Sequence, residues 1–168
     1  CLLIVSTFSF AQKNIKASSI MKEIKAGNLI SYQNATIVGA LDLTFMEEAI
    51  GKTPKKNSWF NWSSGKSTNE IKKIIDVKIS FINCIFKDDV LSYIPDEDSG
   101  YTFTASFENE AIFKNCTFER KAMFKYSRFK KDSDFSDSSF NDDSTFKYAK
   151  FDKNISFSNT KFNKVATF

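Results

Sequence analysis

From residue 105 onward the chain repeats one alternation of apolar and polar positions. Phe stands at 107, 113, 118, 124, 129, 135, 140, 146, 151, 157, 162 and 168, so the spacing alternates between six and five residues. Two positions before each Phe comes Ala105, Ala111, Cys116, Ala122, Ser127, Ser133, Ser138, Ser144, Ala149, Ile155, Thr160 or Ala166, all small except Ile155. The other positions are polar or variable. A flat strand does not fit, because a five-residue step carries the side chain to the opposite face. A helix fits little better: five residues rotate by about 140° at 3.6 residues per turn, which leaves no compact apolar face. Ser, Asp, Asn and Thr, common in this stretch, are also indifferent helix formers. A chain that turns a corner after every five or six residues does fit. Each side then points one large and one small residue inward, and four sides close a square coil. The phrase FKYSRF at 124–129 returns as FKYAKF at 146–151, one full coil later.

Stacking such coils about 4.8 Å apart by backbone hydrogen bonds predicts four columns of rings. They are Phe107, Phe129 and Phe151; Phe113, Phe135 and Phe157; Phe118, Phe140 and Phe162; and Phe124, Phe146 and Phe168. Each buried Phe contributes on the order of 2 kcal/mol, and a coil needs a neighbour above and below to be stable. The same register appears earlier in Tyr32, Ile37 and Leu43, preceded two positions back by Ile30, Ala35 and Leu41, and in Phe81 and Phe86, preceded by Ile79 and Cys84. The coil is therefore expected over 29–168, interrupted by insertions at about 45–74 and 88–103. Within 12–28, SSIMKEIKAGN predicts a short helix with Ser18 or Ser19 as N-cap, Ile20, Met21 and Ile24 on one face and Gly27 as stop. It would plug the open end of the stack.

The triplets ASF, AIF, CTF, AMF, SRF, SDF, SSF, STF, AKF, ISF, TKF and ATF carry a family resemblance. An inward Phe or Leu preceded two positions earlier by a small residue, about every five residues, resembles the pentapeptide-repeat family. The resemblance covers 105–168. It implies an all-β fold, a right-handed quadrilateral parallel β-helix, here with a short N-terminal capping α-helix. The regular sixth residue on two sides and Phe in place of Leu depart from the family pattern and imply a wider or bulged coil.

Composition adds constraints. Gly at 5 and Pro at 2 are too few for the many turns of an ordinary antiparallel sandwich. Histidine is absent, which removes the commonest general base and metal ligand. The opening CLLIVSTFSFA, followed at once by QKNIK, reads as the end (1–11) of a secretory signal peptide with Ser9 and Ala11 before a cut at Gln12. It is too short to span a bilayer as a helix. An exported protein of a bacterial periplasm or exterior is expected, with no transmembrane helix in the mature chain. In that compartment Cys84 and Cys116 could pair, although two small buried thiols explain them as well.

No catalytic, metal or cofactor site is expected. The acidic pairs Asp132/Asp134 and Asp142/Asp143 lie at outward positions among lysines, with nothing to shift a pKa or enclose a substrate. SSGKST at 63–68 lacks the spaced first Gly of a phosphate-binding loop. Two interaction candidates remain. One is the insertion carrying Trp59, Phe60 and Trp62 among lysines, able to stack on a glycan or to fold back on the coil. The other is the outward set Lys125, Tyr126 and Arg128 above Lys147, Tyr148 and Lys150. The leading functional reading is a non-catalytic scaffold presenting these surfaces to a protein or envelope component. Some members of the resembled family imitate DNA and bind type II topoisomerases; a net charge of +4 and a leader speak against that reading and against nucleic acid as a partner.

Overall fold

A computed structural model of the protein describes residues 13–51 and 69–168. The chain runs β1 (Lys13–Lys16), α1 (Ala17–Lys25), β2 (Ile30–Gln33), β3 (Ala35–Val38), β4 (Leu41–Asp42) and α2 (Met46–Ile50). After the undescribed stretch come β5 (Glu70–Ile75), β6 (Ile79–Ile82), β7 (Ile85–Phe86), β8 (Val90–Leu91), β9 (Tyr93–Asp96) and β10 (Tyr101–Phe107). The rest of that coil is β11 (Ala111–Lys114), β12 (Thr117–Phe118) and β13 (Ala122–Met123). Two further coils follow: β14 (Arg128–Phe129), β15 (Ser133–Asp134), β16 (Ser139–Phe140) and β17 (Ser144–Thr145), then β18 (Lys150–Phe151), β19 (Ile155–Ser156), β20 (Lys161–Phe162) and β21 (Ala166–Thr167).

These strands form four parallel sheets, one per side of a square β-helix. The Phe107 side is β5, β10, β14 and β18; the Phe113 side is β2, β6, β11, β15 and β19. The Phe118 side is β1, β3, β7, β12, β16 and β20, and the Phe124 side is β4, β8, β13, β17 and β21. The register is the predicted one: Phe107 lies beside Phe129, Phe129 beside Phe151, Phe118 beside Phe140 and Phe140 beside Phe162. The earlier register holds too, with Tyr32 beside Phe81 and Ile37 beside Phe86.

Inside, the rings stack as columns. Centroids are 4.4 Å apart for Phe118 and Phe140, 4.7 Å for Phe107 and Phe129, and 5.2 Å for Phe113 and Phe135, with planes within 9° of parallel. Between columns the rings meet edge to face, as Phe124 and Phe135 do at 72°. Both arrangements suit the ring quadrupole. Phe107, Phe113, Phe118, Phe124, Phe129, Phe135, Phe140 and Phe146 are buried. Phe151, Phe157 and Phe162 are half-buried and Phe168 is 65% exposed. Phe168 stacks on Phe146 in its column, with centroids 5.6 Å apart.

The capping region differs in detail. Strand β1 pairs with β3 and leads directly into α1, so Lys16 is the N-cap, extended and without a side-chain cap bond. Neither Ser18 nor Ser19 caps the helix; both sit inside its first turn. Helix α1 buries Ala17, Ile20 and Ile24 on the first coil, and Gly27, at φ 76°, ends it in a conformation that costs glycine least. Tyr32 takes a Phe position in the first coil and donates from its hydroxyl to Glu23 of the helix at 2.8 Å, tying the plug to the stack.

The coil also claims residues that the sequence pattern assigns to insertions. Strand β5 lies within 45–74 yet pairs with β10 across Glu70–Ile75, and β8 lies within 88–103 yet pairs with β4 and β13. The second interruption is the hairpin of β9 and β10, which pair antiparallel. There Ser92, fully buried, occupies the Phe place beside Phe124 and bonds Ser127 at 2.7 Å between hydroxyls. A Phe-spaced pattern cannot reveal a side whose inward residue is Ser. The leader reading for 1–11 and the Trp59, Phe60 and Trp62 candidates fall outside the described residues.

Candidate functional site

The alternation of five and six residues has a backbone cause. On each five-residue step the second residue after the inward one is left-handed. At the corner from the Phe113 side to the Phe118 side these residues are Asn34, Asn83, Asn115, Asp137 and Asn159, with φ between 50° and 60°. At the corner from the Phe124 side to the Phe107 side they are Tyr126 and Tyr148, at 59° and 61°; Phe45, at 53°, holds the equivalent place where the chain leaves the coil for α2. The turn is closed by bonds such as Ser127 N–H to Phe124 O at 3.1 Å and Ala149 N–H to Phe146 O at 2.9 Å. A left-handed third residue lets a four-residue turn reverse direction compactly. The six-residue corners use one more residue, and among the described residues none of their non-glycine positions is left-handed.

The two left-handed corners differ in chemistry. Asn and Asp tolerate the conformation, and their side chains link coil to coil: Asn115 donates to Asn83 at 2.6 Å, Asn83 to Asn34 at 3.2 Å and Asn159 to Asp137 at 3.1 Å. A bulky Tyr in the same place is strained. Tyr126 and Tyr148 nevertheless stack on the outside, 5.1 Å between centroids and 14° between planes, with Tyr93 of the hairpin 5.8 Å from Tyr126. Tyr126 is 42% and Tyr148 57% exposed. Lys125 Nζ lies 4.9 Å from the Tyr93 ring centre and 5.0 Å from that of Tyr126, and Lys147 Nζ lies 5.1 Å from that of Tyr148.

Charge order sets this corner apart as well. On the six-residue corners neighbouring coils carry opposite charges, paired as Lys130 with Glu108 at 2.8 Å, Lys87 with Glu119 at 2.5 Å and Lys164 with Asp142 at 2.8 Å. At the tyrosine corner like charges stack instead, Lys125 below Lys147 and Arg128 below Lys150. Only Arg128 of these four has a carboxylate partner among the described residues, Asp152 at 2.9 Å. Beside Tyr126, Asn69, Glu70 and Thr102 are among the residues that line a cleft of about 280 Å³.

Residues 104–148 and 124–168 match the family model described as pentapeptide repeats (9 copies). Over 104–168 the coil is built of pentapeptide repeats. The parallel four-sided stack and this match together describe a right-handed quadrilateral β-helix, the hand that parallel crossovers favour. No curated protein and no solved structure matches the chain.

Within this pentapeptide-repeat coil the acidic pairs have structural employment. Asp132 accepts from the backbone and side-chain nitrogens of Asn154 in the next coil, and Asp134 accepts from Ser136 N–H at 2.8 Å. Asp142 accepts from Lys164 and from Asp143 N–H, and the lysine holds its carboxyl below the usual range. Cys84 and Cys116 are free, buried and in register on neighbouring coils. Their column shows why the small position so often carries a donor. Cys84, Cys116, Ser138 and Thr160 each donate to the carbonyl of the inward residue one side earlier and one coil below: Tyr32, Phe81, Phe113 and Phe135, at 3.6, 3.4, 2.6 and 2.8 Å. Those carbonyls belong to the residue that opens each left-handed turn. Full burial and these donations to backbone carbonyls make both thiols structural. Among the described residues no cluster of three or more His, Cys, Asp or Glu could hold a metal. Likewise no helix there is long and apolar enough to cross a membrane.

The sequence pattern singles out Lys125, Tyr126, Arg128, Lys147, Tyr148 and Lys150, and they do share one corner. It does not reveal that the corner extends to Tyr93, which sits in the hairpin, or that the tyrosines occupy left-handed backbone. The second point was legible in principle, since Asn or Asp stands two residues after Phe81, Phe113, Phe135 and Phe157, whereas Tyr stands there after Phe124 and Phe146.

Proposed function

We propose that the protein is a non-catalytic, exported interaction scaffold whose working surface is the corner of Tyr126 and Tyr148. One observation carries this reading: at a place where the other corner uses Asn or Asp, the chain spends two strained tyrosines and an unneutralised stack of lysines. Strain and like-charge repulsion placed together on an exposed surface are the mark of selection for contact rather than for stability. The involvement of the acidic residues in coil-to-coil bonds supports the absence of catalysis. Alternating charge on the six-residue corners and a cationic tyrosine corner suit a topoisomerase-binding DNA mimic poorly, since such a mimic needs a continuous acidic face.

A photocrosslinking residue at position 148, in cells producing the full-length protein, tests the reading. Discrete adducts are expected that disappear in Lys125→Gln/Lys147→Gln and are missing when the crosslinker is moved to position 109. Adducts indifferent to both changes would refute the working surface. Cell fractionation tests export separately: recovery in the cytoplasm with an uncut N-terminus would refute it.

A further inference from the structure

We infer that the tyrosine corner is a binding ladder for an acidic polysaccharide, a polymer with a carboxylate or sulfate on its repeating unit, lying along the axis of the coil. The inference rests on the scaffold reading above and names the partner's chemistry.

Lys125 and Lys147 stand one coil apart without a carboxylate partner among the described residues, and exposed Lys150 continues the positive strip. The complement to such a strip is a linear array of negative charge. A repeating receptor whose rungs are 5.1 Å apart fits a repeating ligand. An acidic peptide in extended form fits less well, because same-face side chains recur about every 6.7 Å, well beyond the rung spacing. Single-stranded nucleic acid fits poorly for another reason. Its bases need open aromatic faces, and here Tyr126 and Tyr148 turn those faces to each other at 14°. Between the two rungs the stack leaves only edges and hydroxyls to solvent. Phenol hydroxyls and ammonium groups in alternation suit a ligand carrying many hydroxyls and regular anions.

The cleft at the hairpin end of the ladder agrees. Asn69 and Thr102 offer it an amide and a hydroxyl beside the Tyr126 edge. The Glu70 carboxylate in its wall already accepts from Thr104 at 2.7 Å and pairs with Lys72 at 3.3 Å, so its charge is largely engaged. A sugar ring ending the polymer would find hydroxyl partners there.

The test is titration of the whole chain, by calorimetry, with polygalacturonate and heparin against neutral dextran, poly-glutamate and an oligothymidylate. Binding is expected for the two acidic polysaccharides, weakened roughly tenfold or more in Lys125→Gln/Lys147→Gln/Lys150→Gln, as loss of three contacts to a polyanion implies. Tyr126→Asn/Tyr148→Asn is expected to keep the circular dichroism of the coil, since Asn accepts the left-handed turn, and still to lose affinity. Poly-glutamate or oligothymidylate bound as tightly as the polysaccharides would overturn the inference, as would binding unchanged in the tyrosine variant. Sugar binding lost only in Trp59→Ala/Trp62→Ala would assign it to another loop and overturn it too. Persisting adducts at position 148 with no polysaccharide binding would sink this inference alone and leave the scaffold reading standing.

Discussion

Exchanging residues between the two left-handed corners separates strain from stabilisation. Asn115→Tyr places a bulky residue at φ 50° where its neighbours above and below are Asp137 and Asn83. The left-handed conformation costs about 1–2 kcal/mol for such a residue. Loss of the 2.6 Å bond from Asn115 to Asn83 removes a further ~1 kcal/mol. With no aromatic partner on that corner, the total is a destabilisation of about 2–3 kcal/mol. The reverse change, Tyr148→Asn, relieves about 1–2 kcal/mol of strain. Against that it gives up one ring contact with Tyr126, worth ~1 kcal/mol, and an exposed Lys147 contact of about 0.5–1 kcal/mol. Those contributions cancel, so the net change is near zero. Urea unfolding followed by circular dichroism reads the difference: the Asn115→Tyr midpoint falls clearly and the Tyr148→Asn midpoint stays close to that of the parent. If Tyr148→Asn proved as costly as Asn115→Tyr, the tyrosines would be stabilising in their own right, and strain would no longer point to a binding role.

Three further outcomes follow from the same geometry. Phe113→Ala, stacked between Phe81 and Phe135, is expected to cost about 3–5 kcal/mol, and a midpoint shift no larger than that of the exposed change Lys147→Gln would contradict the column packing. The Tyr32 phenol is pushed up to about 12, by burial first and then by its bond to Glu23. A raised value means the folded state holds the proton more tightly, so this contribution is complete below about pH 10 and is lost as pH rises from there towards 12. Wild type should therefore lose stability relative to Tyr32→Phe across that window, and parallel pH profiles for the two would contradict the tie between plug and stack. Cys84 and Cys116 should resist alkylation in the folded protein and react fully in urea; rapid labelling of either in native buffer would contradict their burial.

How much of this was written in the sequence depends on which residues carry the signal. The columns were legible because the inward position is almost always Phe and its small partner lies two residues back, a pattern that survives only if both face one interior. The capping helix was legible from Ile20, Ile24 and Gly27, but its start was not. A Ser-rich first turn imitates a cap, whereas the real boundary is set by β1 pairing with β3 and delivering Lys16 in extended form. The ends of the insertions were hidden for a related reason. At Ser92 the inward residue is a buried hydroxyl satisfied by Ser127, and along β5 the alternation of Ile71, Lys73 and Ile75 belongs to pairing with a distant strand. Local pattern cannot report a hydrogen bond made 35 residues away. The candidate site lies between these cases. Its residues were visible as a repeated phrase, and repetition alone would explain them. What gives them meaning is the comparison of two corners with the same backbone: where five successive turns use Asn or Asp, a Tyr–Lys pair repeated in register is a departure from the rule that the fold itself sets. The duplication comes from the repeat, and the identity of the duplicated residues is the part that the fold does not demand.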